Sequence, residues 1–136
     1  MKNNNLIEQT MSAHYPIIGK SKAVENVRKL IAKLARTRND IIIVGEDGVG
    51  KGAIAKNIHY QNLNGSVDLP FVSVNLSVID DKEMEAVLFG FERGAERLPY
   101  TSKRGIFEIA NGGTVLIEEL EEASFRNQMK IMTLLN

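Results

Sequence analysis

The eleven residues from Ile41 to Lys51 constrain this chain more than any others. Four consecutive β-branched residues, Ile41-Ile42-Ile43-Val44, run directly into Gly45-Glu46-Asp47-Gly48-Val49-Gly50-Lys51. The apolar run is too short for a helix and apolar on both faces, the pattern of a strand buried in a parallel sheet. Glycines at 45, 48, 50 and 52 then mark a tight turn. Beyond it Ile54, Ala55 and Ile58 recur at helical spacing, so the order is strand, glycine turn, helix.

The rest of the chain repeats the alternation. Residues 1–14 are polar and aperiodic apart from Leu6 and Ile7, and read as a linker or disordered arm. Order is expected from Tyr15 onward, giving one domain over residues 15–136. Ser21 is placed to cap a helix with Val24, Val27, Leu30, Ile31 and Leu34 on one face, closed by Asn39-Asp40. Phe71-Val72-Ser73-Val74 reads as a second strand, Met84, Val87 and Leu88 as a short helix, and Gly90 to Gly105 as a loop. A short helix over 107–110 leads through Asn111-Gly112-Gly113 into a third buried strand, Thr114-Val115-Leu116-Ile117, and Gln128, Ile131, Leu134 and Leu135 lie on a last helix. Strands alternating with helices predict a three-layer α/β domain with a parallel sheet.

At 136 residues the chain suffices for one domain with a core. Seventeen basic side chains balance seventeen acidic ones, which argues against a stand-alone nucleic-acid binder. No cysteine is present, so disulfides and thiolate metal sites are excluded. No apolar run approaches the ~18 residues that span a bilayer, and the first residues lack a signal-peptide pattern. The expectation is a cytoplasmic protein with no membrane partner.

Gly45 to Lys51 fits G-x-x-x-x-G-K, a phosphate-binding loop. Glycines let successive backbone N–H groups turn inward toward phosphate oxygens. The following helix adds its unpaired N–H groups and positive dipole end, and Lys51 brings a full charge to the β- and γ-phosphates. The nucleotide-binding residues are therefore Gly45, Glu46, Asp47, Gly48, Val49, Gly50, Lys51 and Gly52, with ATP the expected ligand. The plain alternative is a strand-to-helix turn and nothing more. Gly52 stands where the generic motif has Ser or Thr, whose hydroxyl ligates Mg²⁺, so phosphate binding is expected to survive better than metal placement.

Such a loop works with carboxylates at the end of a neighbouring strand. Glu118-Glu119 follow the strand at 114–117. Glu119 is the candidate general base and Glu118 the candidate Mg²⁺-side carboxylate, one methylene longer than the usual Asp. Taken alone, Glu118, Glu119, Glu121 and Glu122 also fit a solvated acidic surface at a helix start. Read with Lys51, they favour a catalytic pair.

Further segments carry a specific resemblance. Ile18-Gly19-Lys20-Ser21, the loop at 45–52, Ala55-Lys56-Asn57-Ile58-His59, Pro70-Phe71-Val72-Ser73-Val74-Asn75, Val87-Leu88-Phe89-Gly90-Phe91-Glu92-Arg93-Gly94-Ala95, Gly105-Ile106-Phe107-Glu108-Ile109-Ala110-Asn111-Gly112-Gly113-Thr114 and Gln128-Met129-Lys130-Ile131-Met132 occur in order. From about Ile17 to the last residue the chain resembles the central AAA+ module of bacterial sigma-54-dependent transcription activators, NtrC-like response regulators of two-component systems. The resemblance implies a P-loop NTPase (AAA+) core, incomplete at its C-terminal side, with sheet order 5-1-4-3-2 and a fourth strand missing between Ile41–Val44 and Thr114–Ile117.

It also implies roles. Ile18 and Gly19 match the segment lining the adenine pocket. Asn75 matches the asparagine that pairs with the catalytic glutamate; read without the family, it is a strand-end residue capping its own turn. His59 is expected to pack at a helix end. The family's sigma-54-gripping GAFTGA loop here reads Gly94-Ala95-Glu96-Arg97-Leu98-Pro99, without its Phe-Thr core. With Gly52 and Glu118, three working parts depart from the family pattern. A nucleotide-binding regulator with weak or absent hydrolysis is therefore preferred over an active ATPase that remodels sigma-54 RNA polymerase, and over an interaction domain with a vestigial loop. DNA contact is expected only through other domains, and self-association through the AAA+ domain.

Overall fold

The computed structural model describes residues 7–9, 16–62, 69–91 and 103–135. It divides into two compact units, Met11–Leu69 and Met1–Thr10 with Pro70–Asn136.

In the first unit, helix α1 spans Lys22–Leu34 and helix α2 spans Lys51–Asn62, and the two pack on one another. Ser21 caps α1 as its side chain predicts, its Oγ accepting the Val24 N–H at 3.3 Å. Ile31 is buried and Val24, Val27 and Leu34 are half-buried, but Leu30 is exposed at the edge of the stripe. The helix stops before Asn39-Asp40, because Thr37 closes it: its N–H and its Oγ1 both donate to the Leu34 carbonyl, at 2.9 and 2.8 Å. In α2 the buried residues are Ala55 and His59, with Ile54 and Ile58 half-buried.

The run at 41–44 departs from expectation. It belongs to no strand, and Ile42 and Val44 are 88% and 90% exposed. A strand exists only through a ladder with a neighbour, and no described segment pairs with these residues. The sequence pattern marks a segment suited to burial between two strands; the pairing that would bury it is not made here.

The second unit is built on strands β1 (Ile7–Gln9), β2 (Phe71–Asn75) and β5 (Thr114–Glu118), in the order β1-β2-β5. β2 and β5 run parallel in the register Phe71↔Thr114 through Asn75↔Glu118, the adjacency that the resemblance implied. β1 lies antiparallel on the other edge of β2, Ile7 opposite Val74, within the stretch expected as a linker. β2 is buried at four consecutive positions rather than alternately, and β5 is half-buried along its length because, among the described strands, it has a neighbour on one side only.

The remaining α-helices and strands are α3 (Asp81–Phe89), β3 (Gly90–Phe91), β4 (Lys103–Arg104), α4 (Ile106–Ile109) and α5 (Phe125–Leu135). The stretch expected as a loop from Gly90 to Gly105 has an antiparallel stem, Gly90 opposite Arg104 and Phe91 opposite Lys103. Val72 and Val74 of β2 join Leu76, Met84, Leu88, Ile106 and Ile131 in one core, with Val115 and Ile117 packed against it. Each fully buried aliphatic chain there contributes about 1.5–3 kcal/mol of hydrophobic stabilisation. Phe89 and Phe107 stack with ring centres 5.5 Å apart, joining α3 to α4. The start of α5 is tied to α3 by Asp81, whose Oδ1 accepts the Ser124 N–H at 3.0 Å and the Nδ2 of buried Asn127 at 2.8 Å. These bonds hold the Asp81 carboxyl below its ordinary pKa, the Ser124 bond most strongly.

Candidate functional site

Strand ends and helix starts position the candidate residues in two groups, one in each unit. The first is the loop before α2. Gly48 and Gly50 have φ of +77° and +97°, backbone that L side chains rarely adopt, and a Cβ at either position would meet nothing within 4 Å. Such open, left-handed glycines let a chain turn its N–H groups to one side. α2 begins at Lys51, and its first N–H groups have no partners within the helix. The Ile54 N–H already bonds the Gly50 carbonyl at 3.1 Å.

Lys51 folds back over this loop. Its Nζ donates to the carbonyls of Gly45 at 2.8 Å and Glu46 at 3.0 Å, and lies 3.5 Å from Asp47 Oδ1. The ammonium is thus held over the loop by two backbone carbonyls, with the Asp47 carboxylate at the edge of reach. Gly52 carries no hydroxyl, so α2 offers no side-chain metal ligand directly after the lysine.

The Ile17–Gly19 segment precedes α1 in the same unit. Ile18 is 85% exposed, yet its flanking carbonyls are held by Arg28 from the second turn of α1. Arg28 donates from Nε to the Ile17 carbonyl at 3.1 Å, and from Nη2 to the same carbonyl and to that of Gly19, the latter at 2.8 Å.

The second group stands at the C-terminal ends of β2 and β5. Asn75 is opposite Glu118 in the ladder. Asn75 Oδ1 accepts the Ser77 N–H at 2.9 Å and the Ser77 hydroxyl at 2.7 Å, so it does cap its own turn. Glu118 Oε2 accepts the Ser73 hydroxyl at 3.2 Å. Period two along β2 places Ser73 and Asn75 on the face shared with Glu118, away from Val72 and Val74. Glu119 then leaves the strand with φ 55° and ψ 50°, left-handed backbone unusual for a non-glycine residue. The turn sends the chain into a single 3₁₀ turn, Leu120–Glu122.

Among the described residues no three His, Cys, Asp or Glu side chains converge to hold a metal ion. Mg²⁺ is commonly held by one or two carboxylates, with water and substrate phosphates completing its octahedron. Glu118, oriented by Ser73, offers one carboxylate at the end of β5. His59 packs at the end of α2, only 3% exposed, and burial lowers its pKa while a backbone hydrogen bond with Leu69 partly restores it. The loop at Gly94, Ala95, Glu96, Arg97, Leu98 and Pro99 lies outside the described residues.

Two contributors were not singled out from the sequence. Ser73 was findable, because strand periodicity aligns it with Asn75. Arg28 was not, because nothing in the spacing of an exposed helical arginine reveals that it reaches back to a preceding segment.

The profile of the family described as the Sigma-54 interaction domain matches residues 17–136. The C4-dicarboxylate transport transcriptional regulatory protein DctD of Pseudomonas aeruginosa is 35% identical over 122 residues, 90% of this chain and 26% of that protein. The nitrogen fixation protein VnfA of Azotobacter vinelandii is 38% identical over 119 residues, 88% of this chain and 22% of that protein. Among solved structures, NtrX from Brucella abortus in complex with ATP aligns with a TM-score of 0.74 at 34% identity, over 88% of this chain and 24% of that one. The same protein in complex with ADP aligns at 0.73. The chain therefore spans about a quarter of the length of the relatives it matches. A match that begins just ahead of Ile18 and takes in the glycine loop, both strand-end carboxylates and α5 admits one assignment: this chain belongs to the sigma-54 interaction domain family.

Proposed function

We propose that this chain is the ATP-binding part of a cytoplasmic bacterial transcription regulator, with Gly45 to Lys51 cradling the phosphates and Ile18-Gly19 receiving the adenine. One observation carries the reading. Gly48 and Gly50 turn left-handed immediately ahead of α2, with the Lys51 ammonium resting on two loop carbonyls. Nucleotide-bound NtrX supports it as a relative of the same fold.

Mg²⁺, where bound, supplies neutralisation of developing phosphate charge. Glu118 is the carboxylate to hold it, and Glu119 the base to orient the attacking water. Gly52 and Glu118 both weaken metal placement, and Glu96-Arg97-Leu98-Pro99 replaces the aromatic tip that grips sigma-54 in the family. The regulator therefore binds ATP, turns it over slowly if at all, and engages sigma-54 poorly. It self-associates through this domain, and DNA is read by other domains.

Titration with ATP, with and without Mg²⁺, against the chain and a Lys51→Ala variant tests this. Binding is expected to need Lys51 and to depend only weakly on Mg²⁺. Equal binding by both proteins would remove the phosphate-loop reading, and strict Mg²⁺ dependence would contradict the weight given to Gly52. A second reading, an active sigma-54 remodelling ATPase, is favoured by the presence together of Lys51, Asn75 and Glu119 in their family positions. Turnover abolished by Glu119→Gln would establish its hydrolytic half.

A further inference from the structure

We propose that Arg28 is a positioning residue for base recognition: it holds the Ile17–Gly19 backbone rigid so that the exposed Ile18 side chain presents a fixed apolar surface to the nucleotide base. The inference deepens the proposed function and rests on its assignment of Ile18-Gly19 to the adenine.

Three observations carry it. First, a single guanidinium spans two carbonyls on either side of Ile18, with Nε and Nη2 on Ile17 and Nη2 again on Gly19. The planar fork of Arg makes this possible, whereas a Lys ammonium has no such fixed geometry. Second, Gly19 has φ +148° and lies so close to α1 that a Cβ would sit 3.0 Å from Val24 Cγ2. The segment is therefore seated on the first turn of the helix as well as tied to its second. Third, Ile18 between these two anchors is 85% exposed. An exposed apolar side chain on a loop ordinarily pays an ordering cost when it receives a ligand. Here the backbone is ordered beforehand by α1, leaving the side chain as a ready surface for one face of a flat ring. Lys51 and the loop at 45–50 make none of these contacts, so base recognition and phosphate recognition are separable within this unit.

The experiment compares ATP with inorganic tripolyphosphate, which keeps the phosphates and lacks the base. Both are titrated calorimetrically into the chain, Arg28→Lys and Arg28→Ala, with circular dichroism melts run beside them. Arg28→Lys keeps the charge and loses the fork; its ATP affinity is expected to fall about tenfold, equivalent to about 1.4 kcal/mol, with tripolyphosphate affinity unchanged within about twofold. Hydrogen exchange at residues 17–19 is expected to accelerate in both variants. Equal weakening for the two ligands, or an unaltered ATP affinity, would overturn the assignment of Arg28. Should Arg28→Ala fail to fold, Arg28→Lys decides alone. If the unmodified chain binds neither ligand, the nucleotide reading itself fails and this inference with it; if it binds both and Arg28→Lys matches it, only the inference fails.

Discussion

Ser73 donates its hydroxyl to Glu118 Oε2 at 3.2 Å, across the parallel ladder of β2 and β5. Ser73 is buried, so the bond orients a carboxylate that would otherwise sample several rotamers. Ser73→Ala is expected to lower stability by about 1 kcal/mol. A double-mutant cycle with Glu118→Ala, read by urea denaturation, is expected to give a coupling of at least about 0.5 kcal/mol. Strictly additive losses would show that the two side chains do not act together.

Glu119 separates backbone geometry from chemistry. Its left-handed conformation is tolerated by Gly, uncomfortable for Glu, and worst for a β-branched side chain. Glu119→Gln should melt within about 0.5 kcal/mol of the unmodified chain, and Glu119→Val about 1 kcal/mol or more below it. A Val variant as stable as the Gln variant would mean that the turn is not held in this conformation in solution.

His59 gives the first unit a pH signature. Burial holds its pKa below the ordinary imidazole value, so the unfolded chain binds the proton more readily than the folded one. Stability contributed by the neutral ring is complete above about pH 6.5 and declines as the pH falls below it. The thermal midpoint is expected to drop between pH 7.5 and 5.5, with a smaller drop in His59→Gln. Parallel pH profiles for the two proteins would assign the loss to other groups.

Gly113 sits where the chain enters β5, and a Cβ there would lie 1.9 Å from the Pro70 carbonyl oxygen. That oxygen also accepts the Thr114 N–H at 2.9 Å, next to the first rung of the β2–β5 ladder. Gly113→Ala is expected to cost about 2 kcal/mol or more by forcing the two segments apart. An unchanged denaturation midpoint would show that the entry to the strand can yield.

Much of this architecture is written in local pattern. Ser21 caps α1, Phe71 to Val74 form a strand, and Thr114 to Ile117 form another, because caps and apolar periodicity are short-range properties. Ile41 to Val44 failed for the opposite reason: the residues suit a buried strand, but strand identity belongs to the pair and not to the segment. The stem of Gly90–Phe91 with Lys103–Arg104 escaped because each side is two residues long, below any periodicity. Of the candidate residues, Lys51 and the strand-end glutamates were legible by type and place. The left-handed turn at Glu119 and the reach of Arg28 to Ile17 were not, since both are set by where the chain goes next in space.

The register of β2 against β5 has a last consequence. Sliding one strand past the other by a single residue would exchange Ser73 and Asn75 for Val72, Val74 or Leu76 beside Glu118, and would turn two core valines outward. No half-aligned arrangement keeps part of that polar cluster. The carboxylate, the hydroxyl and the amide are therefore assembled or lost in one step, and what guards their alignment is the oily side of the same five-residue strand.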